Sequence, residues 1–183
     1  MERLTPEIRA FIREHADEKP EVLALQSKRY PALPMAFIAQ QVKARQRIRK
    51  KLPSWYQNEE VVFPASLSLE QCSSESAADY KAGLLFGEAM ADLTGGMGVD
   101  SFAFSNRFKK VYHIERSIEL SSIAAVNAEA FGKASIVKTV AGDGLEWLDH
   151  FDGQLDLIYV DPARRDARRP LRAEAGDRAG DGG

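Results

Sequence analysis

Residues 89–100 read Ala89-Met-Ala-Asp-Leu-Thr-Gly-Gly-Met-Gly-Val-Asp100. A short apolar run ends in Asp92-Leu93, glycines follow at 95, 96 and 98, and helical periodicity then runs to about Arg107. Glycines let a chain turn sharply and let backbone N–H groups approach a ligand with no Cβ in the way. The stretch therefore reads as strand, tight turn, helix. Downstream the alternation continues, with a strand over Lys110–Glu115, a helix from Ile118 to about Phe131 stopped by Gly132, and a strand over Ser135–Val140. A helical turn around Leu145–Leu148 and a strand over Leu155–Val160 complete the pattern. Strands alternating with helices predict an α/β domain over residues 89–165, built on about four parallel strands.

Upstream, residues 1–55 predict a small helical region. Ile8, Phe11 and Ile12 recur at helical spacing, Val22, Leu23 and Leu25 follow Pro20, and a third helix begins at Met35 and ends before Pro53. Its second half carries Lys43, Arg45, Arg47, Arg49, Lys50 and Lys51 with no acid among them. Such a run is either a solvated face or a phosphate-binding patch for RNA. Residues 56–88 read as a linker with a short extended Val61-Val-Phe63 before Pro64, a polar run through Glu75, and a lead-in helix in which Ser74 is followed by Ala77, Ala78, Tyr80, Leu84 and Leu85. The tail 166–183 holds Leu171 as its one large apolar residue, the composition of a disordered segment or of a shifted reading frame.

Apolar residues are 44% of the 183 and charged residues 28%, close to globular usage. A net charge of -2 gives no global pull toward nucleic acid, so any such affinity must be local. The single cysteine, Cys72, rules out an intrachain disulfide and fits a reduced, cytoplasmic setting; as a small, partly buried side chain it is not the expected nucleophile. No apolar run reaches the length of a membrane span, and three scattered histidines show no metal spacing. Trp55, Trp147 and Phe151 are expected in the core rather than as stacking platforms.

The candidate site residues lie where the predicted strands end. Glu115 closes the second strand twenty residues after Gly95, where a carboxylate can accept both hydroxyls of a ribose. Asp143, in Ala141-Gly-Asp-Gly144, follows the third strand and can accept a hydrogen bond from an adenine amino group. Tyr159-Val-Asp161-Pro162 ends the fourth, putting a carboxylate beside the glycine turn, at the sheet edge where open α/β folds bind ligands. Glycine turn and ribose acid are common to dinucleotide-binding oxidoreductases, which keeps an NAD-type enzyme as a weaker alternative. Ser101 in place of a third glycine, Asp92 ahead of the turn and Asp143 all point away from it.

Taken together, Asp92–Asp100, Ile114-Glu115, Gly142-Asp143 and Asp161-Pro-Ala-Arg-Arg-Asp166 resemble the class I S-adenosylmethionine (AdoMet)-dependent methyltransferases. More narrowly the chain is similar to a bacterial group with a helical N-terminal region and, in full-length members, a THUMP-like C-terminal domain. Leu69–Glu75 with Ala78 and Lys81 resembles that group's lead-in to the first strand, and the likeness spans roughly residues 35–166. The resemblance implies a Rossmann-like methyltransferase sheet and AdoMet as cofactor. Gly95, Gly96 and Gly98 would line its methionine part with Asp92 and Thr94 beside them, Glu115 would hold the ribose and Asp143 would meet the adenine. Asp161, Pro162 and Arg164 would form the catalytic segment, with Asp161 facing the methyl group. Related amino-group methyltransferases carry Asp/Asn-Pro-Pro-aromatic there; this chain has Asp161-Pro162-Ala163-Arg164, an arginine plane in place of the ring. RNA is the implied substrate, with the basic helix as its contact and no metal. Full sheets of this class have about seven strands, so the chain reads as C-terminally truncated. A catalytically silent AdoMet-binding remnant is the rival expectation.

Overall fold

The computed structural model of the protein describes residues 3–64 and 66–161. Helix α1, Pro6–Glu14, starts where the Thr5 hydroxyl accepts the Ile8 N–H and a proline occupies the first turn. Helix α2, Pro20–Ala24, runs into a 3-10 turn over Leu25–Lys28, and α3 spans Met35–Ile48. Ile8, Phe11 and Ile12 pack with Leu23 against Met35, Ile38, Ala39 and Val42, giving the N-terminal helices their own apolar cluster.

Two helices occupy the stretch expected to be a plain connection: α4, Pro53–Gln57, and α5, Ser66–Gln71. Each is barely more than a turn, too short to show periodicity, and α4 is secured by burying Trp55. Between them Val61–Phe63 is extended, as expected, and buried, yet pairs with no strand among the described residues. Two buried amide side chains satisfy its backbone instead. Gln41 of α3 accepts the Phe63 N–H at 2.9 Å and donates to the Phe63 carbonyl at 2.8 Å. Asn127 does the same for Val62, at 2.8 and 2.9 Å.

Helix α6, Glu75–Gly83, is capped by Ser74 and leads into strand β1, Gly87–Asp92. Then come α7 (Val99–Phe104), β2 (Phe108–Glu115), α8 (Ile118–Ala130), β3 (Val137–Ala141), α9 (Gly144–Asp149) and β4 (Leu157–Tyr159). Asn127 lies on α8, so the amide clamp joins the N-terminal region to the α/β region. All strand pairs are parallel, in the order β3-β2-β1-β4. The four parallel strands with flanking helices are those the alternation predicts. Chain order runs outward from β1 to β3 on one side and resumes with β4 on the other, placing a topological switch between β1 and β4.

One apolar core covers one face of the sheet and continues into the helices before it. Ala44, Ile48, Leu52 and Trp55 share it with Met90, Phe102, Phe104, Val111 and Val137, and Trp55 stacks on Phe102. On the opposite face Ala91, Leu93 and Ile114 are covered by Tyr112, Trp147, Leu148 and Leu155, with Trp147 stacked on Phe151. Trp55 is a core residue, as expected, while Trp147 and Phe151 are only half-buried and pack on the outer side of this face. No helix among the described residues is long and apolar enough to cross a membrane.

The basic run on α3 needs one correction. Arg45 is not on a solvated face: it is 7% exposed, and its guanidinium donates to the carbonyls of Tyr56, Asn58, Glu59 and Val61. It occupies the buried stripe formed by Ile38, Gln41, Val42 and Ile48, so helical spacing turns it inward. Burial lowers its pKa to about 10, which leaves it charged. Lys51 reaches the carbonyls of Leu69 and Glu70, while Lys43, Arg47 and Arg49 make exposed ion pairs with Glu21, Glu70 and Asp17.

Candidate functional site

The glycine loop leaves β1 at Asp92 and is held from beneath. Asp92 is buried; its carboxylate accepts the Ser101 hydroxyl at 2.7 Å and the Thr94 N–H at 3.1 Å. His113, its register partner on β2, is fully buried and places Nδ1 3.0 Å from Ser101 Oγ. Because the Ser101 proton goes to Asp92, the imidazole donates from Nδ1, and Nε2 has no partner among the described residues. Burial raises the Asp92 carboxyl to about 6 and lowers the His113 imidazole to about 4.

This imidazole decides what stands above it. A Cβ at position 95 would lie 2.2 Å from His113 Cε1, so the loop passes only as glycine. Gly98 adopts φ 98°, a conformation costly for any residue with a side chain, and starts α7 from there. Glu115 fastens the loop to the end of β2, accepting the Gly96 N–H and the Ser117 N–H at 2.8 Å each.

Above the carboxyl ends of β1, β2 and β4 lies a cavity of about 630 Å³, within the size range of small-molecule sites. Thr94, Gly95, Gly96, Glu115 and Asp161 are on its wall, so the structure brings these predicted residues together. Asp92 and Gly98 are not on the wall; they shape the loop from behind. Asp143 stands at the rim, where its carboxylate caps α9 by accepting the Leu145 and Glu146 N–H groups and pairs with Arg116. Its neighbours Gly144 and Leu145 reach the wall. Pro162, Arg164 and the tail 166–183 lie outside the described residues.

Asp161 donates its backbone N–H to Thr94 Oγ1 at 2.7 Å, which ties the end of β4 to the glycine loop. Its Oδ2 accepts the Tyr159 hydroxyl at 3.3 Å. Tyr159, Asp100 and Ser73 also line the cavity, and Lys81 of α6 links all three from behind. Cys72 lines it too, but its thiol donates to the Leu69 carbonyl and is pushed up by burial, the opposite of an activated nucleophile. Sequence reasoning did not single out Tyr159, Asp100, Ser73 or Arg116 for this wall. Tyr159 was within reach, since it shares a strand face with Asp161 two residues on. Asp100 and Ser73 meet only because α6 packs across α7, which no local pattern records.

Residues 87–163 match the family described as RNA cap guanine-N2 methyltransferase. A solved structure of a proposed methyltransferase from Porphyromonas gingivalis W83 is 32% identical with a TM-score of 0.73, the match covering 87% of this chain and 40% of that one. The chain thus spans about two fifths of that relative's length. An O-methyltransferase from Bacillus cereus in complex with SAH is 15% identical over 62% of each chain, TM-score 0.46. A proposed RNA methyltransferase from Pyrococcus horikoshii is 24% identical over 67% of this chain and 59% of its own, TM-score 0.37. No curated protein matches the sequence. With its glycine loop at the switch point of a parallel β3-β2-β1-β4 sheet and its family match over the same residues, the α/β region of this chain has the class I methyltransferase fold.

Proposed function

We propose that this chain is the cofactor-binding portion of an AdoMet-dependent methyltransferase acting on an amino nitrogen of RNA. The observation that carries the reading is the shared cavity: glycine loop, Glu115 and Asp161 face one space of about 630 Å³ at the carboxyl edge of the sheet. The wall suits AdoMet. Gly95 and Gly96 offer a surface without side chains for the methionine end, and the Glu115 carboxylate keeps lone pairs for ribose hydroxyls beyond those used on Gly96 and Ser117. Leu145 and Arg116 border the end where an adenine would lie, next to Asp143. Bound AdoMet supplies an electrophilic methyl carbon.

The chain's own contribution is positioning. Asp161, tied to the loop through Thr94, puts on the cavity wall a carboxylate able to accept hydrogen bonds from an incoming amino group and so aim its lone pair. RNA is supported by the matched family's description and by α3, whose exposed ion pairs are weak enough to exchange for phosphates. Calorimetric titration with AdoMet, followed by transfer of labelled methyl groups to total RNA, tests cofactor and substrate in turn. Glu115→Ala is expected to weaken AdoMet binding on the order of 10–100-fold, by loss of charge-assisted hydrogen bonds. An absence of AdoMet binding to the wild type would end the proposal; binding without transfer would leave a cofactor-binding domain.

A further inference from the structure

We propose that Lys81 is the positioning residue that sets Asp161 for its acceptor, acting through the Tyr159 hydroxyl; this rests on the methyltransferase reading of the cavity. Lys81 sits on α6, and although its neighbours line the cavity it does not. An ammonium group has three protons to donate. Here it donates to Tyr159 OH at 2.7 Å and to Ser73 Oγ at 2.9 Å, and it forms an ion pair with Asp100 Oδ1 at 2.5 Å. Two donors are assigned and the charge is paired, so the head of Lys81 is held from three sides, and it joins α6 to α7 and to the end of β4.

The consequence falls on Tyr159. Its oxygen accepts from Lys81, and its own proton goes to Asp161 Oδ2 at 3.3 Å, the acceptor it has among the described residues. Burial pushes the phenol up to about 12, so it stays a donor throughout the range in which proteins work. Lys81 Nζ also stands 3.8 Å from the same Oδ2. Asp161 is thereby held at its backbone by Thr94 and at Oδ2 by Tyr159, while no described residue engages Oδ1. Oδ1 is the atom left to receive an N–H from the acceptor. A lysine that served only to fasten α6 to α7 would need Asp100 alone. The second and third contacts, to Tyr159 and Ser73, aim the group at both sides of the cavity.

The test uses Lys81→Met, Tyr159→Phe, the double variant and Lys81→Arg, each measured for AdoMet affinity by calorimetry and for kcat with total RNA as the probe. Lys81→Met and Tyr159→Phe are each expected to lower kcat about tenfold or more while AdoMet affinity moves less than about threefold. The double variant should be no worse than Lys81→Met, because both remove one relay, and Lys81→Arg should recover some of the loss. A kcat within about twofold of wild type, losses that multiply in the double variant, or a loss confined to AdoMet affinity would overturn it. Should Lys81→Met fail to fold, the cycle of Tyr159→Phe with Lys81→Arg decides by the same additivity. If the wild type binds AdoMet but methylates no RNA, the acceptor reading fails on its own. The relay is then read from a crystal structure of Tyr159→Phe with S-adenosylhomocysteine: a turned Asp161 carboxylate supports it, and an unmoved one overturns it.

Discussion

His113 and Gly95 constrain each other: the imidazole fills the space a Cβ would need. Gly95→Ala is expected to displace the loop, weakening AdoMet binding by about tenfold or more and lowering the melting temperature, as calorimetry and thermal denaturation would show. The buried pair beneath the loop also sets a pH response. Asp92 holds its proton up to about 6 when folded against an ordinary 3.8, so its contribution to stability is full below 3.8 and lost as pH rises to about 6. His113 stays neutral down to about 4 against an ordinary 6.5, so its contribution is full above 6.5 and lost as pH falls to about 4. The two nearly cancel between about 4 and about 6. Asp92→Asn removes one side of that balance, and urea denaturation should find the variant falling behind wild type by about 2 kcal/mol on going from pH 6 to pH 4. The loop and Glu115 were legible in the sequence because their constraints are local, a turn and a strand end. His113 was not, although a polar residue in a strand covered on both faces needs a buried partner, and Asp92 is its register neighbour.

At the level of elements, α3 separates two kinds of arginine. Arg45→Ala strips four carbonyls of their donor and is expected to cost about 3 kcal/mol in a urea titration, whereas Arg47→Ala or Arg49→Ala should stay within about 0.5 kcal/mol. Charge reversal at Arg47, Arg49 and Lys50 should instead flatten the salt dependence of RNA binding; an unchanged slope would reduce the exposed side of α3 to a solvated surface. The charge of this helix was plain from sequence, and the spacing from Ile38 through Val42 and Ile48 held the signal for Arg45. The long alternating elements β1, β2 and α8 were equally plain. Helices α4 and α5 were not, since elements this short exist only through what they pack against. The same holds for Val61–Phe63, whose extended form was visible but whose partners, Gln41 and Asn127, come from helices far away in sequence.

Across the whole molecule, α3, α4 and the sheet share one apolar core, so the helical region and the α/β region are expected to unfold together. Trp55 reports from inside that core and Trp147 from the other face of the sheet, against Tyr112 and Phe151. Single-tryptophan variants, Trp147→Phe and Trp55→Phe, should therefore give coincident urea midpoints by fluorescence; separated midpoints would show two units. Alternating strands and helices revealed a parallel sheet, but the placement of β4 beside β1 rather than β3 rests on long-range packing that no single stretch encodes. That placement governs the order of assembly. Neighbours β1 and β2 are linked by a short crossover, so the glycine loop and Glu115 can come together early. Register Met90↔Leu157 requires a far larger loop to close, and β4 pairs over only three residues. Loop-closure entropy thus predicts that the cofactor side of the cavity forms first and that the contact of Asp161 with Thr94 follows once β4 has paired.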